Sequence, residues 1–173
     1  GAGKSTTLRM ILGLIYPSSG EIFFKGEKVE KYDRSYLSQI GALIERPDFY
    51  ENLSAYNNLK IFERLANLEN KKNRIETVLK EVKLWERRAS RVKTYSQGMK
   101  QRLGIAQALL HEPELIMLDE PSNGLDPKGQ ADMRDLIHHI SSELNITVLI
   151  SSHILAEIEL IANRMIIINN GLR

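Results

Sequence analysis

The sequence of 173 residues contains no cysteine, which excludes disulfide bridges and thiolate metal sites. Long apolar runs are also missing, because the longest, such as residues 115–118 and 165–168, have four residues against about 18 in a membrane-spanning helix. Neither sign of charge dominates: 24 Lys and Arg face 22 Asp and Glu, so charge does not indicate nucleic acid or anionic lipid as a main partner. What is present, 42% hydrophobic and 27% charged residues, is typical of one globular domain with a core.

Hydrophobic periodicity predicts an α/β fold with a mostly parallel sheet covered on both faces, because short apolar strands alternate with longer helical segments. The predicted helices cover residues 4–14, 97–111, 127–144 and 154–163, and the predicted strands cover 40–44, 115–118, 146–150 and 165–168. Residues 21–29 predict a strand with a turn, or a hairpin. Residues 51–93 predict a helical insertion with amphipathic segments at 55–68 and 74–84.

The first six residues, Gly1, Ala2, Gly3, Lys4, Ser5 and Thr6, form the second half of a phosphate-binding loop, G-x-x-x-x-G-K-[ST], directly before a predicted helix. Glycines allow backbone N–H groups to surround phosphate oxygens, and the helix N-terminus adds its positive end. Lys4 then reaches the β- and γ-phosphates, and the Ser5 hydroxyl is suited to Mg²⁺. A flexible glycine-rich terminus is the alternative, disfavoured because this string arises by chance about once in a million positions.

Two acidic residues, Asp119 and Glu120, follow the apolar strand predicted at 115–118. Ligands gather at the C-terminal ends of strands in open α/β sheets, so Asp119 is a candidate Mg²⁺ ligand and Glu120 a candidate general base that polarises water. An acidic pair at a strand end is more often a solvated loop. The phosphate loop upstream favours the catalytic interpretation.

Residues 95–102 connect these two motifs, and with them the chain resembles the ATP-binding subunit of ABC transporters. The motifs that carry the resemblance are the phosphate loop, a signature segment at 96–100, the strand ending at Asp119 and Glu120, a D-loop-like run at 123–126, and His153 as the switch histidine. The resemblance implies a P-loop NTPase core at 1–50 and 96–173, incomplete at its N-terminus, with a helical subdomain at 51–95 inserted in it. Because the strand before the phosphate loop lies outside this sequence, we expect the chain alone to fold poorly or bind ATP weakly.

The family pattern also implies roles for residues that spacing alone leaves open. Two copies would enclose two ATP molecules, with Ser96 and Gly98 of one copy facing the γ-phosphate that Lys4 of the other copy holds. His153 would contact the γ-phosphate, although an isolated histidine is more often structural. Ser96 and Asp126 are also suited to cap the helices that follow them. The family pattern makes capping the lesser role for Ser96, whereas for Asp126 a structural role stays as open as a communicative one.

Two departures from the family pattern stand in the sequence itself. The signature, usually Leu-Ser-Gly-Gly-Gln, is Tyr-Ser-Gln-Gly-Met at residues 95–99 and keeps the serine and the second glycine. Glu45 occupies the place of a glutamine that normally faces Mg²⁺ and the membrane subunit, and a carboxylate can still ligate Mg²⁺. Glu45 followed by residues 49–53 is similar to ATPases that export bacitracin or confer lantibiotic immunity.

The resemblance therefore implies an ATPase that uses ATP and Mg²⁺, pairs with a second copy or subunit, and drives export through a separate membrane permease from the cytoplasmic face of the membrane. The exported molecule would be a peptide antibiotic, and no direct nucleic-acid contact is expected. One alternative is a soluble ABC ATPase acting on ribosomes or DNA, for which the sequence offers only a basic cluster that is usually a solvated face, Arg87, Arg88, Arg91 and Lys93. The other is a regulator that binds ATP without hydrolysis, which Lys4, Glu120 and His153 disfavour.

Overall fold

The computed structural model describes residues 2–45, 47–68, 73–169 and 171. The helices are α1 (Lys4–Ile11), α2 (Ala55–Leu65), α3 (Arg74–Glu81), α4 (Gln97–Leu109), α5 (Pro127–Ser142) and α6 (Leu155–Ile161). The strands are β1 (Phe23–Phe24), β2 (Glu27–Lys28), β3 (Ile40–Leu43), β4 (Leu115–Asp119) and β5 (Thr147–Ser151). Among the described residues, none of the helices has both the length and the apolar character needed to cross a bilayer.

Three parallel strands in the order β3-β4-β5 form the sheet that positions the candidate site. Leu43 pairs with Leu118 on one side of β4, and Asp119 pairs with Ser151 on the other. All three strands therefore end at the same edge of the sheet. The strands predicted at 40–44, 115–118 and 146–150 are confirmed, and residues 21–29 form the antiparallel hairpin β1–β2.

Both faces of the sheet are covered, as the α/β prediction requires. Met117 points to the face that packs on Leu8 of α1, whereas Ile116 and Leu118 point to the opposite face, which α4 and α5 cover. The Tyr36 hydroxyl donates to the Ile11 carbonyl at 2.7 Å, which ties the C-terminal end of α1 to the turn that enters β3. The N-terminal end of α1 is therefore directed toward the edge where the strands end.

The predicted helical insertion contains α2 and α3 and shares a core with the rest of the chain. Leu59 and Leu79 are fully buried in the same cluster as Leu103 of α4. The largely buried Arg74 guanidinium donates from Nε to the Leu110 carbonyl at 3.1 Å and from Nη2 to the Leu109 carbonyl. The first residue of α3 thus supplies partners to carbonyls at the C-terminal end of α4 that have no partner within the helix.

The strand predicted at residues 165–168 is wrong, because this segment is irregular in the structure. Met165, Ile166 and Ile167 are exposed. An extended segment becomes a strand only when a neighbour pairs its N–H and C=O groups, and no described strand lies beside this one. The apolar run at 165–168 indicates that this segment favours an extended backbone. It does not indicate whether a neighbouring strand is there to pair with it.

A second link between the helical segment and the core is formed by His139 of α5. Its Nε2 pairs with the Glu81 carboxylate of α3, and its Nδ1 lies 3.0 Å from the Glu143 carboxylate. The hydrogen bond to Glu81, with a smaller contribution from Glu143, raises the pKa of His139 above its usual value of 6.5. Because the folded-state pKa is the higher one, this stabilisation is complete below the unfolded pKa and is lost as pH rises through the folded one.

We expect His139→Gln to lower the free energy of unfolding of the complete protein by roughly 1 kcal/mol at about pH 6, and by less at about pH 9, because this stabilisation is lost as the imidazole loses its proton. Urea unfolding at the two pH values measures the difference. His138→Gln, an exposed histidine on the same helix, is the matched control. Equal losses at both pH values would contradict the role of the protonated ring.

Candidate functional site

The segment predicted to bind phosphate leads directly into α1. Gly3 has a φ of 101°, a conformation that favours glycine, and its carbonyl accepts hydrogen bonds from the backbone N–H and the hydroxyl of Thr7, both at 2.9 Å. Lys4 and Ser5 are partly buried in the first turn, Thr6 is exposed, and Ala2 lies just before the turn. Gly1 lies outside the described residues. No acidic residue occupies the first turn of α1, so its positive end is not neutralised there.

The ends of β4 and β5 bring a buried carboxylate and a buried hydroxyl together. Asp119 is 9% exposed and Ser151 is 7% exposed, and the Ser151 hydroxyl donates to Oδ1 of Asp119. The Glu120 N–H donates to both oxygens of Ser151, to the carbonyl at 3.1 Å and to the hydroxyl at 3.2 Å. Ser151 therefore orients the Asp119 carboxylate and the backbone of the next residue at the same time.

Glu120 follows β4 directly, and its side chain contacts His153. Its φ of 49° is unusual for a residue with a side chain, and the hydrogen bonds to Ser151 hold this conformation. Nδ1 of His153 lies 3.1 Å from Oε2 of Glu120, so an N–H at Nδ1 can donate a hydrogen bond to this oxygen. Both side chains reach solvent, with 29% of the Glu120 side chain and 56% of the His153 side chain exposed.

Glu45 lies two residues beyond the end of β3 and is exposed, with a φ of 69°. Its carboxylate forms an ion pair with the guanidinium of Arg9 on α1. This pair joins the loop after β3 to the helix that follows the phosphate-binding segment.

The remaining predicted residues form a second group at the start of α4 and α5. The Ser96 hydroxyl accepts from the Met99 N–H at 3.3 Å and caps α4, and the Asp126 carboxylate accepts from the Gly129 N–H at 3.0 Å and caps α5. Both caps line a cavity of about 220 Å³, together with Gly98. The sequence-predicted residues thus fall into two groups, one at the strand ends and α1, the other around this cavity.

Three residues of these groups were not identified from sequence: Ser151, Arg9 and Gln97. Ser151 is predictable from the strands at 115–118 and 146–150, because parallel pairing in register places the residue after the second strand opposite Asp119. Arg9 and Gln97 act through contacts with Glu45 and Asn123, which lie far away in the sequence. Spacing carries no signal for such contacts.

Comparisons with known proteins give relatives for nearly the whole chain. The family profile described as ABC transporter matches residues 1–123. The chain is 52% identical to the bacitracin transport ATP-binding protein BcrA of Bacillus licheniformis, over 99% of this chain and 56% of that protein. It is 44% identical to the lantibiotic transport ATP-binding protein SrtF of Streptococcus pyogenes, over 94% of this chain and 69% of that protein. The chain thus spans little more than half the length of the first of these relatives.

Solved structures give the same picture of the fold. The structure of cbiO1 from Clostridium perfringens, described as part of the ABC transporter complex cbiONQ, aligns with a TM-score of 0.86 at 26% identity, covering 98% of this chain and 70% of that one. An ATP-binding subunit of an ABC transporter aligns with a TM-score of 0.77 at 32% identity, covering 98% of this chain and 71% of that one. The predicted α/β, P-loop NTPase fold class is confirmed.

The contacts of Ser151 predict a loss of stability when its hydroxyl is removed. Ser151→Ala leaves the buried Asp119 carboxylate and the Glu120 N–H each without one partner, and we expect the free energy of unfolding to fall by about 1–3 kcal/mol. Urea unfolding of the complete protein measures this change. Ser141→Ala, at an exposed position of α5, is the control and should change stability by less than about 0.5 kcal/mol. A Ser151→Ala variant as stable as this control would contradict the bond's role.

Proposed function

This chain belongs to the ABC transporter family, and we propose on that premise that it is the ATP-hydrolysing subunit of an exporter. Two copies enclose two ATP molecules with Mg²⁺ and drive export through a separate membrane permease. The names of the relatives, a bacitracin and a lantibiotic transport protein, support a peptide antibiotic as the exported molecule. The chain itself divides into an ATPase core, residues 1–50 and 96–173, and a helical subdomain, residues 51–95.

The phosphates of ATP bind at the N-terminal end of α1. Backbone N–H groups of residues 1–6, from Gly1 and Ala2 through Gly3 to Thr6, surround the phosphate oxygens, and Lys4 neutralises their charge. The left-handed Gly3 and the absence of an acidic residue in the first helical turn support this role, because both favour close approach of an anion.

The residues at the strand ends fit a hard divalent cation held partly by its substrate. Among the described residues, no three acidic or histidine side chains are grouped closely enough to hold a metal alone. Mg²⁺ is commonly bound by one or two carboxylates together with phosphate oxygens and water, and here Asp119 and the Ser5 hydroxyl would be the protein donors. A bound Mg²⁺ would neutralise negative charge on the phosphates. Glu45 would be a further metal ligand if its carboxylate left Arg9.

Hydrolysis is carried by Glu120 and His153, and their contact at 3.1 Å is the observation on which this proposal depends. A water molecule attacks the γ-phosphorus, its proton passes to the Glu120 carboxylate, and the bond between the γ-phosphorus and the β,γ-bridging oxygen breaks to release ADP and phosphate. Nδ1 of His153 orients the carboxylate, and its ring contacts the γ-phosphate. The partial exposure of both side chains is compatible with access of water and nucleotide.

The second copy completes each nucleotide site. Ser96 and Gly98 present the N-terminal end of α4 to the γ-phosphate bound by Lys4 of the other copy, and Asp126 contacts the dimer interface. The cavity between the two helix caps supports this role, since it leaves both helix ends accessible from outside. The loop after β3 and the helical subdomain transmit closure of the dimer to the permease, so the chain works as a peripheral subunit at the cytoplasmic face of the membrane.

We expect Glu120→Gln in the complete protein to lower ATP turnover by about a hundredfold or more, because the amide cannot accept the proton of the attacking water. The affinity for ATP should change by less than about threefold, since the carboxylate acts on the water rather than on the bound nucleotide. Phosphate release and equilibrium binding of a labelled nucleotide measure the two quantities. Glu159→Gln, an exposed acid on α6, is the control. Unchanged turnover in Glu120→Gln would overturn the assignment.

Association with a permease is tested by purifying the tagged, complete protein from its own cell in mild detergent. We expect a membrane protein of about six hydrophobic spans, each of about 20 apolar residues, in a stoichiometric ratio. Stoichiometric recovery of ribosomal proteins or nucleic acid instead would contradict the transporter role.

A further inference from the structure

The side chain of Gln97 connects the first turn of α4 to the turn that follows β4. Its Nε2 donates to the backbone carbonyl of Asn123 at 3.0 Å. Gln97 is exposed, so this bond forms in competition with water. The usual family signature has glycine at this position, which has no side chain to make such a contact.

The backbone beyond β4 is shaped to accept this amide. Gly124 has a φ of 74°, and a Cβ placed on it would lie 2.8 Å from Nε2 of Gln97. Any other residue at 124 would therefore be strained in its backbone and would displace the amide. On the next residue of α4, a Cβ added to Gly98 would lie 3.6 Å from the Leu125 side chain, so the two segments are in contact along this line.

The turn at residues 121–126 is also bonded to the backbone of Glu120, the candidate general base. The Asn123 N–H donates to the Glu120 carbonyl at 3.0 Å, and the Leu125 N–H donates to the Ser122 carbonyl at 3.2 Å. Asn123 thus accepts from Gln97 on one side and donates to Glu120 on the other. Two consecutive hydrogen bonds join the start of α4 to the backbone of Glu120.

We propose that Gln97 is a positioning residue that holds the 121–126 turn against the first turn of α4, so that the two segments move together. A displacement of the α4 N-terminus then reaches the Glu120 backbone through Asn123. The second step rests on the proposed function, in which the α4 N-terminus meets the nucleotide of the other copy. The first step concerns the structure of one copy alone and needs no nucleotide.

Hydrogen exchange of the complete protein without nucleotide tests the first step. The amides of Asn123 and Leu125, protected within the turn, report its opening. We expect Gln97→Leu, which keeps the bulk and removes the donor, to speed exchange of a peptide covering 121–126 by about three- to tenfold, the range for loss of one hydrogen bond. Gln97→Lys retains a donor of similar reach and should stay within about twofold of wild type.

Two controls separate this effect from general loosening. Gln130→Leu makes the same chemical change on α5 and should leave exchange in 121–126 as in wild type. Residues 103–109, in the buried part of α4, should exchange at the wild-type rate in Gln97→Leu. Unchanged exchange at 121–126 in Gln97→Leu, or an equal increase within 103–109, would overturn the proposal.

ATP turnover then tests the second step. If the start of α4 acts on Glu120 through Asn123, Gln97→Leu lowers kcat by about threefold or more and changes KM for ATP by less than about twofold, because the bond positions the general base rather than the nucleotide. A wild-type kcat in this variant would overturn the second step. Absence of turnover in the wild-type protein counts against the proposed function alone, since the exchange experiment does not depend on hydrolysis.

Discussion

The in-register pairing of β4 with β5 is the constraint on which the candidate site depends. It sets Asp119 opposite Ser151, and only in this register can one buried hydroxyl donate to the carboxylate and accept from the Glu120 N–H. A slip of one residue would turn Asp119 to the opposite face of the sheet and remove both bonds. The left-handed backbone of Glu120 and its contact with His153 follow from the same pairing, because Ser151 holds the peptide from which Glu120 turns.

The site also depends on three helices whose N-terminal ends lie at the edge of the sheet where the strands end. The N-terminal ends of α1, α4 and α5 each begin with a residue suited to that place: a left-handed glycine at Gly3, a hydroxyl cap at Ser96 and a carboxylate cap at Asp126. The caps satisfy N–H groups that the helices leave unpaired, and the glycine leaves its helix end open. The capped helices line a shared cavity, whereas the uncapped one begins within the phosphate-binding segment.

Element order could be predicted from the sequence because periodicity and helix stops are local, as with the helix at Gln97–Leu109 and the strand at Leu115–Asp119. The phosphate-binding segment and Asp119 with Glu120 were predictable for the same reason, since each motif is contiguous. The contacts of Glu45 with Arg9 and of Gln97 with Asn123 were not, because they join residues far apart in the sequence and depend on how elements pack. Residues 165–168 have a local preference for β-strand, but they form no strand because no described strand pairs with them.

The guanidinium of Arg74 gives α3 a different kind of attachment from that of His139. Burial lowers the pKa of Arg74, yet arginine keeps its proton throughout the physiological range, so its bonds to the carbonyls of Leu109 and Leu110 do not respond to pH. The link of His139 to Glu81, at the other end of α3, weakens once the imidazole is neutral. Alkaline conditions therefore weaken the polar attachment at the C-terminal end of α3 and leave that of Arg74 unchanged, while the buried Leu79 keeps the helix packed on the core.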